Sequence, residues 1–242
     1  MVRSPAWVRD ELILACDLVA QNGWRELRQG DPRVRDLSEL LRSLPLHSST
    51  VRTETFRSSD SVSRKTTDIA THHPGYTGKK TRGGALDVVV LDDFLTEPAE
   101  MHQLAQTIRD AARLGHFDTD VAAEVELLDD DEPAREGRLM VAVHRRRERD
   151  AKLRNKKVAE FLRANDRIFC EICEFDFELV YGVHGKGYIE CHHVVPLHVS
   201  GETKTRTEDL VLLCANCHRM IHRQSRWLQP AELRDLVKAG GR

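Results

Sequence analysis

Four cysteines and four histidines carry the chemistry that this chain can do. Cys170-Glu-Ile-Cys173 and Cys214-Ala-Asn-Cys217 are two Cys-x-x-Cys pairs. Together they supply four thiolates, the donor set of a closed tetrahedral zinc site. The short gap within each pair lets it turn as a knuckle, with both sulfurs about 2.3 Å from one ion. Four unrelated thiols are the duller reading, and a spacing that occurs twice argues against it.

The histidines are His192 and His193, adjacent, then His218 directly after the last cysteine, and His222 one helical turn on. On an extended strand His192 and His193 point to opposite faces, although Pro196 implies a turn in which that alternation can break. A helix opening at Cys217 puts His218 and His222 on one face. Strand, loop, second strand and helix then bring imidazoles from both ends of the segment together over the cysteine-stapled hairpin. Two such histidines would pass as core filling. Four of them beside a complete thiolate set point to a second, open metal site.

The rest of the chain must position this segment. Trp7, Leu12, Ala15, Leu18 and Val19 form a helical stripe over 6–21, stopped by Asn22-Gly23. Val34, Leu37, Leu40 and Leu41 predict a second helix over 34–43, ended by Pro45. Residues 46–84 are polar and rich in Ser, Thr and Gly, and read as a long functional loop between helical regions. Val88–Leu91 opens a short buried helix or strand, and Pro98–Leu114 is a further helix. Beyond the cysteine–histidine segment, residues from Trp227 on form a capping helix, and the last three residues fray.

The formal net charge is only −2, but it is unevenly distributed. Between Arg52 and Arg82, seven Lys or Arg face three acids, with His72, His73 and Tyr76 interleaved. A solvated loop is the plain reading of such a run. Basic residues among Ser, Thr and Tyr are also the chemistry of phosphate and base-edge contacts. Asp118–Glu136 carries nine acids against Arg135 and suits a surface linker. Arg138–Arg167 then inverts the sign, with eleven Lys or Arg against four acids on a broken apolar stripe. A long basic helix of that kind can neutralise several phosphates.

Taken together, Cys-x-x-Cys, His-His-x-x-Pro-Leu, Leu-Leu-Cys and Cys-x-x-Cys-His-x-x-x-His resemble an HNH (ββα-metal) endonuclease of the zinc-stapled type, over about residues 168–230. The resemblance implies phosphodiester hydrolysis, with His193 as general base. His192 and His218 would be ligands of a catalytic divalent metal, with His222 as a candidate third. It also implies structural zinc on Cys170, Cys173, Cys214 and Cys217. The family's middle Asn falls on Asp209, which keeps a hydrogen-bond acceptor and loses a donor. Imidazole accepts protons well near neutral pH. Neutral nitrogen ligands leave the ion its full charge, so Mn²⁺, Co²⁺ or Ni²⁺ should compete with Mg²⁺.

Upstream, Trp7-Val-Arg-Asp-Glu-Leu, Phe56-Arg57, Ser61–Lys65, Glu136-Gly-Arg138, His144 and Arg147–Arg149 resemble McrA-like restriction endonucleases, whose N-terminal module directs cleavage to 5-methylcytosine. The expected fold is α+β, in three parts. Residues 1–117 form a mixed α/β modified-DNA recognition domain, 118–167 an acidic linker and basic helix, and 168–242 the HNH domain. Expected DNA contacts are Arg57, Arg64, Lys65, Tyr76, Lys79, Lys80, Arg82, Arg145, Arg146 and Arg149. Double-stranded DNA methylated at cytosine is the expected partner, and two-strand cleavage favours a homodimer. No apolar run is long enough for a membrane span. The start lacks a signal-peptide core, and Cys16 and Cys191 read as reduced fillers, so a cytoplasmic location is expected. Two other readings use the same residues: an HNH nuclease or nickase indifferent to modification, and a zinc-stapled DNA-binding protein that does not cut.

Overall fold

The computed structural model describes residues 4–126, 137–148, 151–194, 206–223 and 228–240. They divide into two compact units, Met1–Leu128 with Glu136–Met140 and Asp129–Arg135 with Val141–Arg242.

The first unit is helical. Its centre is α1 (Arg9–Gln21), whose Leu12–Cys16 and Val19 are wholly buried. The helix ends where the alternative to α-geometry is forced: Gly23 and Trp24 both take positive φ, at 67° and 62°. Helix α2 (Pro32–Ser43) starts on Asp31, whose carboxylate accepts from Arg33 N–H at 2.9 Å, with Pro32 preset at the first turn. Then come α3 (Ser59–His72), α4 (Ala85–Thr96), α5 (Pro98–Arg113) and α6 (Thr119–Glu126). Two expectations fail here. The stretch 46–84 is not a loop throughout, because α3 occupies its middle. Nor is the unit mixed α/β, since no strand occurs among its described residues.

Why α3 escapes pattern reading is visible in what it buries. Between Val62 and Ile69 it buries Lys65 and Thr66 rather than apolar side chains. Thr66 Oγ1 accepts from Leu27 N–H at 3.1 Å, and Lys65 Nζ donates to both oxygens of Asp87 on α4 at 2.7 and 3.0 Å. Polar groups placed inside are tolerated when partnered in this way.

A larger buried network centres on Glu11 of α1. Arg57, which is 1% exposed, grips it with Nε and Nη2, each at 2.6 Å, and donates also to the Pro5 and Ala6 carbonyls. The guanidinium lies 4.4 Å from the Trp7 ring centroid. Burial alone would raise the Glu11 carboxyl, but hydrogen bonds and charge from His47 and Arg57 outweigh it and hold the group below its ordinary range. Arg57 and Lys65, expected from the sequence as DNA contacts, are thus buried and paired with carboxylates of the fold. Five of the residues behind the upstream resemblance (Trp7, Glu11, Phe56, Arg57 and Lys65) meet in and around this network.

Asp10 faces the other way from α1. Its carboxylate accepts from the backbone N–H of Arg138 and Leu139, both at 2.9 Å, and so caps α7 (Arg138–Glu148). Gly137 has φ +85°, and the Asp10 carboxylate leaves no room there for a Cβ. Burial pushes the Asp10 carboxyl up to about 6, against the pull of those amides.

The basic region is two helices, α7 and α8 (Ala151–Ala164). In the second unit, Leu153, Val158 and Phe161 of α8 pack on Ile189, Cys191, Leu210 and Leu212. Arg154 donates to the Gly187 and Ile189 carbonyls at 2.5 and 3.0 Å, fixing the chain where it enters the sheet. After the short α9 (Phe177–Tyr181) comes a two-stranded antiparallel sheet, β1 (Glu190–His193) and β2 (Leu210–Leu213), pairing Glu190 with Leu213 and His193 with Leu210. Helices α10 (Ala215–Ile221) and α11 (Pro230–Ala239) follow. No helix among the described residues is long and apolar enough to cross a membrane.

Candidate metal centre

Each cysteine pair sits on a turn that its own backbone closes. Cys170 N–H donates to the Phe175 carbonyl at 2.9 Å, and Glu174, at φ 62°, returns its N–H to Cys170 at 2.8 Å. Cys214 caps α10, its sulfur accepting from Cys217 N–H at 3.4 Å. The first knuckle is tied to the second through β2: Glu171 N–H donates to the Leu212 carbonyl at 2.9 Å, and Leu212 N–H to the Glu171 carboxylate at 2.7 Å.

The four sulfurs lie within 4.8 Å of one another. Cys173 Sγ and Cys214 Sγ are 3.7 Å apart. Four bonds of about 2.3 Å in a tetrahedron would put sulfurs about 3.8 Å apart. Donor type, number and spacing therefore fit zinc. Hydrogen bonds from the Cys214 and Cys217 thiols hold the Cys170 sulfur well below the usual thiol range, and the same contacts to Cys170 push the Cys214 and Cys217 thiols up. Ile172, Val211, Leu213, Ile221 and Leu233 surround it.

Strand alternation then decides which histidines meet. Glu190 and His192 share the face of β1 that carries Val211 and Leu213 across the ladder, while Cys191 and His193 share the other, with Leu210 and Leu212. From α10, His218 and His222 project to the first face. The ligand nitrogens of His192, His218 and His222 lie within 4.8 Å of one another. His222 Nε2 is 3.2 Å from His192 Nδ1, close to the roughly 3 Å expected between neighbouring nitrogens on one ion. Three imidazoles at this spacing fit an open divalent-metal site.

A fourth member of this cluster was not singled out from the sequence. Glu190 Oε2 accepts from His218 Nδ1 at 2.7 Å, which leaves His218 Nε2 as the nitrogen to face a metal. The Tyr188 hydroxyl donates to the other Glu190 oxygen at 3.0 Å. The His218 contact, more than Tyr188, holds the Glu190 carboxyl below its ordinary range. The available signal was positional, since Glu190 stands two residues before His192 and so shares its face.

His193 is buried at 4% exposure on the opposite face of β1, outside the triad. Asp209 is outside it too. Its side chain accepts from Arg206 N–H at 2.9 Å, while its backbone carbonyl accepts from Val194 N–H at 2.8 Å. Asp209 thus braces the residue after His193 through its main chain. Of the remaining candidates, Arg64, Tyr76, Lys79, Lys80, Arg82 and Arg146 are exposed, and Arg64 pairs with Asp60 at 2.7 Å. The side chain of Arg145, the whole of Arg149, Pro196 and most of the acidic run lie outside the described residues.

No curated protein and no solved structure matches the chain. Residues 170–224, which hold both knuckles and all three triad histidines, match the family model HNH endonuclease, so this part of the chain is similar to an HNH endonuclease domain.

Proposed function

We propose that the protein is a DNA endonuclease that hydrolyses phosphodiester bonds with one divalent metal and a histidine base, and that residues 1–117 direct it to DNA carrying 5-methylcytosine. The observation that carries the nuclease reading is the His192–His218–His222 triad gathered beside a complete four-cysteine set. The methylcytosine dependence rests on the upstream resemblance.

In this reading the cysteines staple the hairpin, and the three histidines hold the metal. When bound, a divalent ion there supplies Lewis-acid charge to the scissile phosphate and leaving oxygen. Glu190 fixes the ring of His218, so that Nε2 is the donor. His193 takes a proton from the attacking water at an imidazole nitrogen. Because His193 and His192 occupy opposite faces of β1, the phosphate is expected across the His193 end of the strand, the place that borders both. Asp209 keeps that end in place through its carbonyl. Two-strand cleavage is assigned to a homodimer, with one site per strand.

The test is supercoiled plasmid, with and without cytosine methylation, incubated with Mg²⁺, Mn²⁺, Co²⁺ or Ni²⁺. Linear product from methylated plasmid alone is the expected result. Equal cutting of both plasmids leaves a modification-blind nuclease. Intact plasmid with every metal, despite retained DNA binding, leaves a zinc-stapled binding protein.

A further inference from the structure

Trp24 is in an unusual position for a large aromatic residue. It takes the left-handed φ of 62° directly after Gly23, a region that bulky side chains avoid and that often marks function where the surroundings enforce it. The surroundings do enforce it. Trp24 N–H donates to the Val19 carbonyl at 2.9 Å. Three residues later the chain is pinned to α3, where Ser63 Oγ donates to the Leu27 carbonyl at 2.8 Å.

What this arrangement achieves is a stack. The Trp24 and His73 rings lie 4.7 Å apart between centroids, only 19° from parallel. His73 is held in turn, its Nδ1 accepting from Gly75 N–H at 3.1 Å. The pair does not serve the core, because both residues are only half-buried. From it runs Pro74–Arg82, in which Tyr76, Lys79, Lys80 and Arg82 are exposed. Not one acid occurs between His72 and Leu86. The far end of this run is fixed back on α3, with Thr81 N–H donating to Thr71 Oγ1 at 3.3 Å.

We infer that Trp24 and His73 form a stacking platform for a base that has left the duplex stack, with Lys79, Lys80 and Arg82 taking the phosphates on either side. An aromatic surface beside a run of cations without acids is complementary to nucleic acid. Bases within a duplex show only their edges, so a ring platform has something to stack on only where a base is extruded, mismatched or single-stranded. The inference rests on the proposed role of DNA as partner and assigns a site and a substrate state that the nuclease motifs do not.

The test uses the full-length chain without added divalent metal and two labelled duplexes of equal length, one fully paired and one with a central unpaired base. Wild type should bind the second more tightly and lose tryptophan emission on doing so. Trp24→Ala should weaken binding to the unpaired-base duplex by roughly ten- to a hundred-fold while leaving the salt slope unchanged. Trp24→Phe should restore most of the affinity without the emission change. The triple Lys79→Ala, Lys80→Ala, Arg82→Ala variant should do the converse, lowering the salt slope by about 2 to 3. Unchanged affinity in Trp24→Ala, or equal wild-type affinity for both duplexes, overturns the platform. Plasmid cleavage by wild type, run alongside, decides the nuclease reading separately, so a failed platform with intact cleavage removes this inference alone.

Discussion

The two units bury polar groups for opposite purposes. In the first, two buried acids of α1 are matched by side chains of the same chain: Glu11 by Arg57, and Asp17 by Arg109 and His102, the last two at 2.5 Å. There the Arg57 guanidinium and the Glu11 carboxylate are spent on each other inside the fold. In the second, four sulfurs and the nitrogens of three imidazoles converge on two points, donor sets that suit metal ions. Burial of a polar side chain therefore says little until its partners are known. Removing a partner should unbalance the first unit and starve the second.

The largest effect belongs to the thiolate set. Cys214→Ala removes a ligand and the cap of α10 together. It should abolish the cooperative unfolding transition of the second unit and reduce bound zinc well below one per chain, since structural zinc contributes folding free energy directly. Metal analysis with circular dichroism reads both. Full zinc content would contradict a four-cysteine site.

Next is Arg57→Met, which leaves the buried Glu11 with His47 and the Val8 N–H but without its cation. Breaking a buried pair costs roughly 3–5 kcal/mol. The loss should appear in urea unfolding of the first unit, with zinc content unchanged. A stability loss below about 1 kcal/mol would show that the closed network is not what holds α1.

Asp10 tests the same unit through pH. Its folded carboxyl, at about 6, lies above the ordinary value of 3.8. A raised group contributes most stability below its unfolded value and loses it as pH rises through the folded one. Relative to Asp10→Asn, wild type should therefore lose on the order of 3 kcal/mol between about pH 4 and 7. A flat difference would place the amide contacts of Arg138 and Leu139 above burial.

For the second unit, Glu190→Gln should weaken Mn²⁺ or Co²⁺ binding by roughly 10- to 100-fold, without loss of zinc, because it loosens the ring of His218. Calorimetry and the Co²⁺ absorption spectrum measure this independently of cleavage.

These comparisons also separate what the sequence made legible from what it did not. Ligand sets were readable because their spacing is local: Cys170 with Cys173, and His218 with His222 on one helix turn. Glu190 escaped because an acid two residues from a histidine reads as a solvent-facing strand position until the strand's partners are known. The buried partner of Arg57 is not legible locally, because Glu11 lies 46 residues away. Helix α3 was missed because its inward face is polar, and only tertiary contacts satisfy Lys65 and Thr66.

The smallest expected effect concerns the departure from the family's middle Asn. Asp209 braces β1 through its backbone carbonyl, at 2.8 Å from Val194 N, and that contact does not depend on the side chain. Among the described residues, its carboxylate serves the turn, accepting from Arg206 N–H. An amide oxygen can accept the same bond. Asp209→Asn should therefore keep the fold, the zinc and cleavage within about threefold, because nothing that the brace requires has been removed. Asp209→Ala, which opens the turn, should cost about 1 kcal/mol of stability. If Asp209→Asn instead changed which divalent ion supports cleavage, the carboxylate would belong to the metal site, and the division between bracing and ligand residues would have to be redrawn.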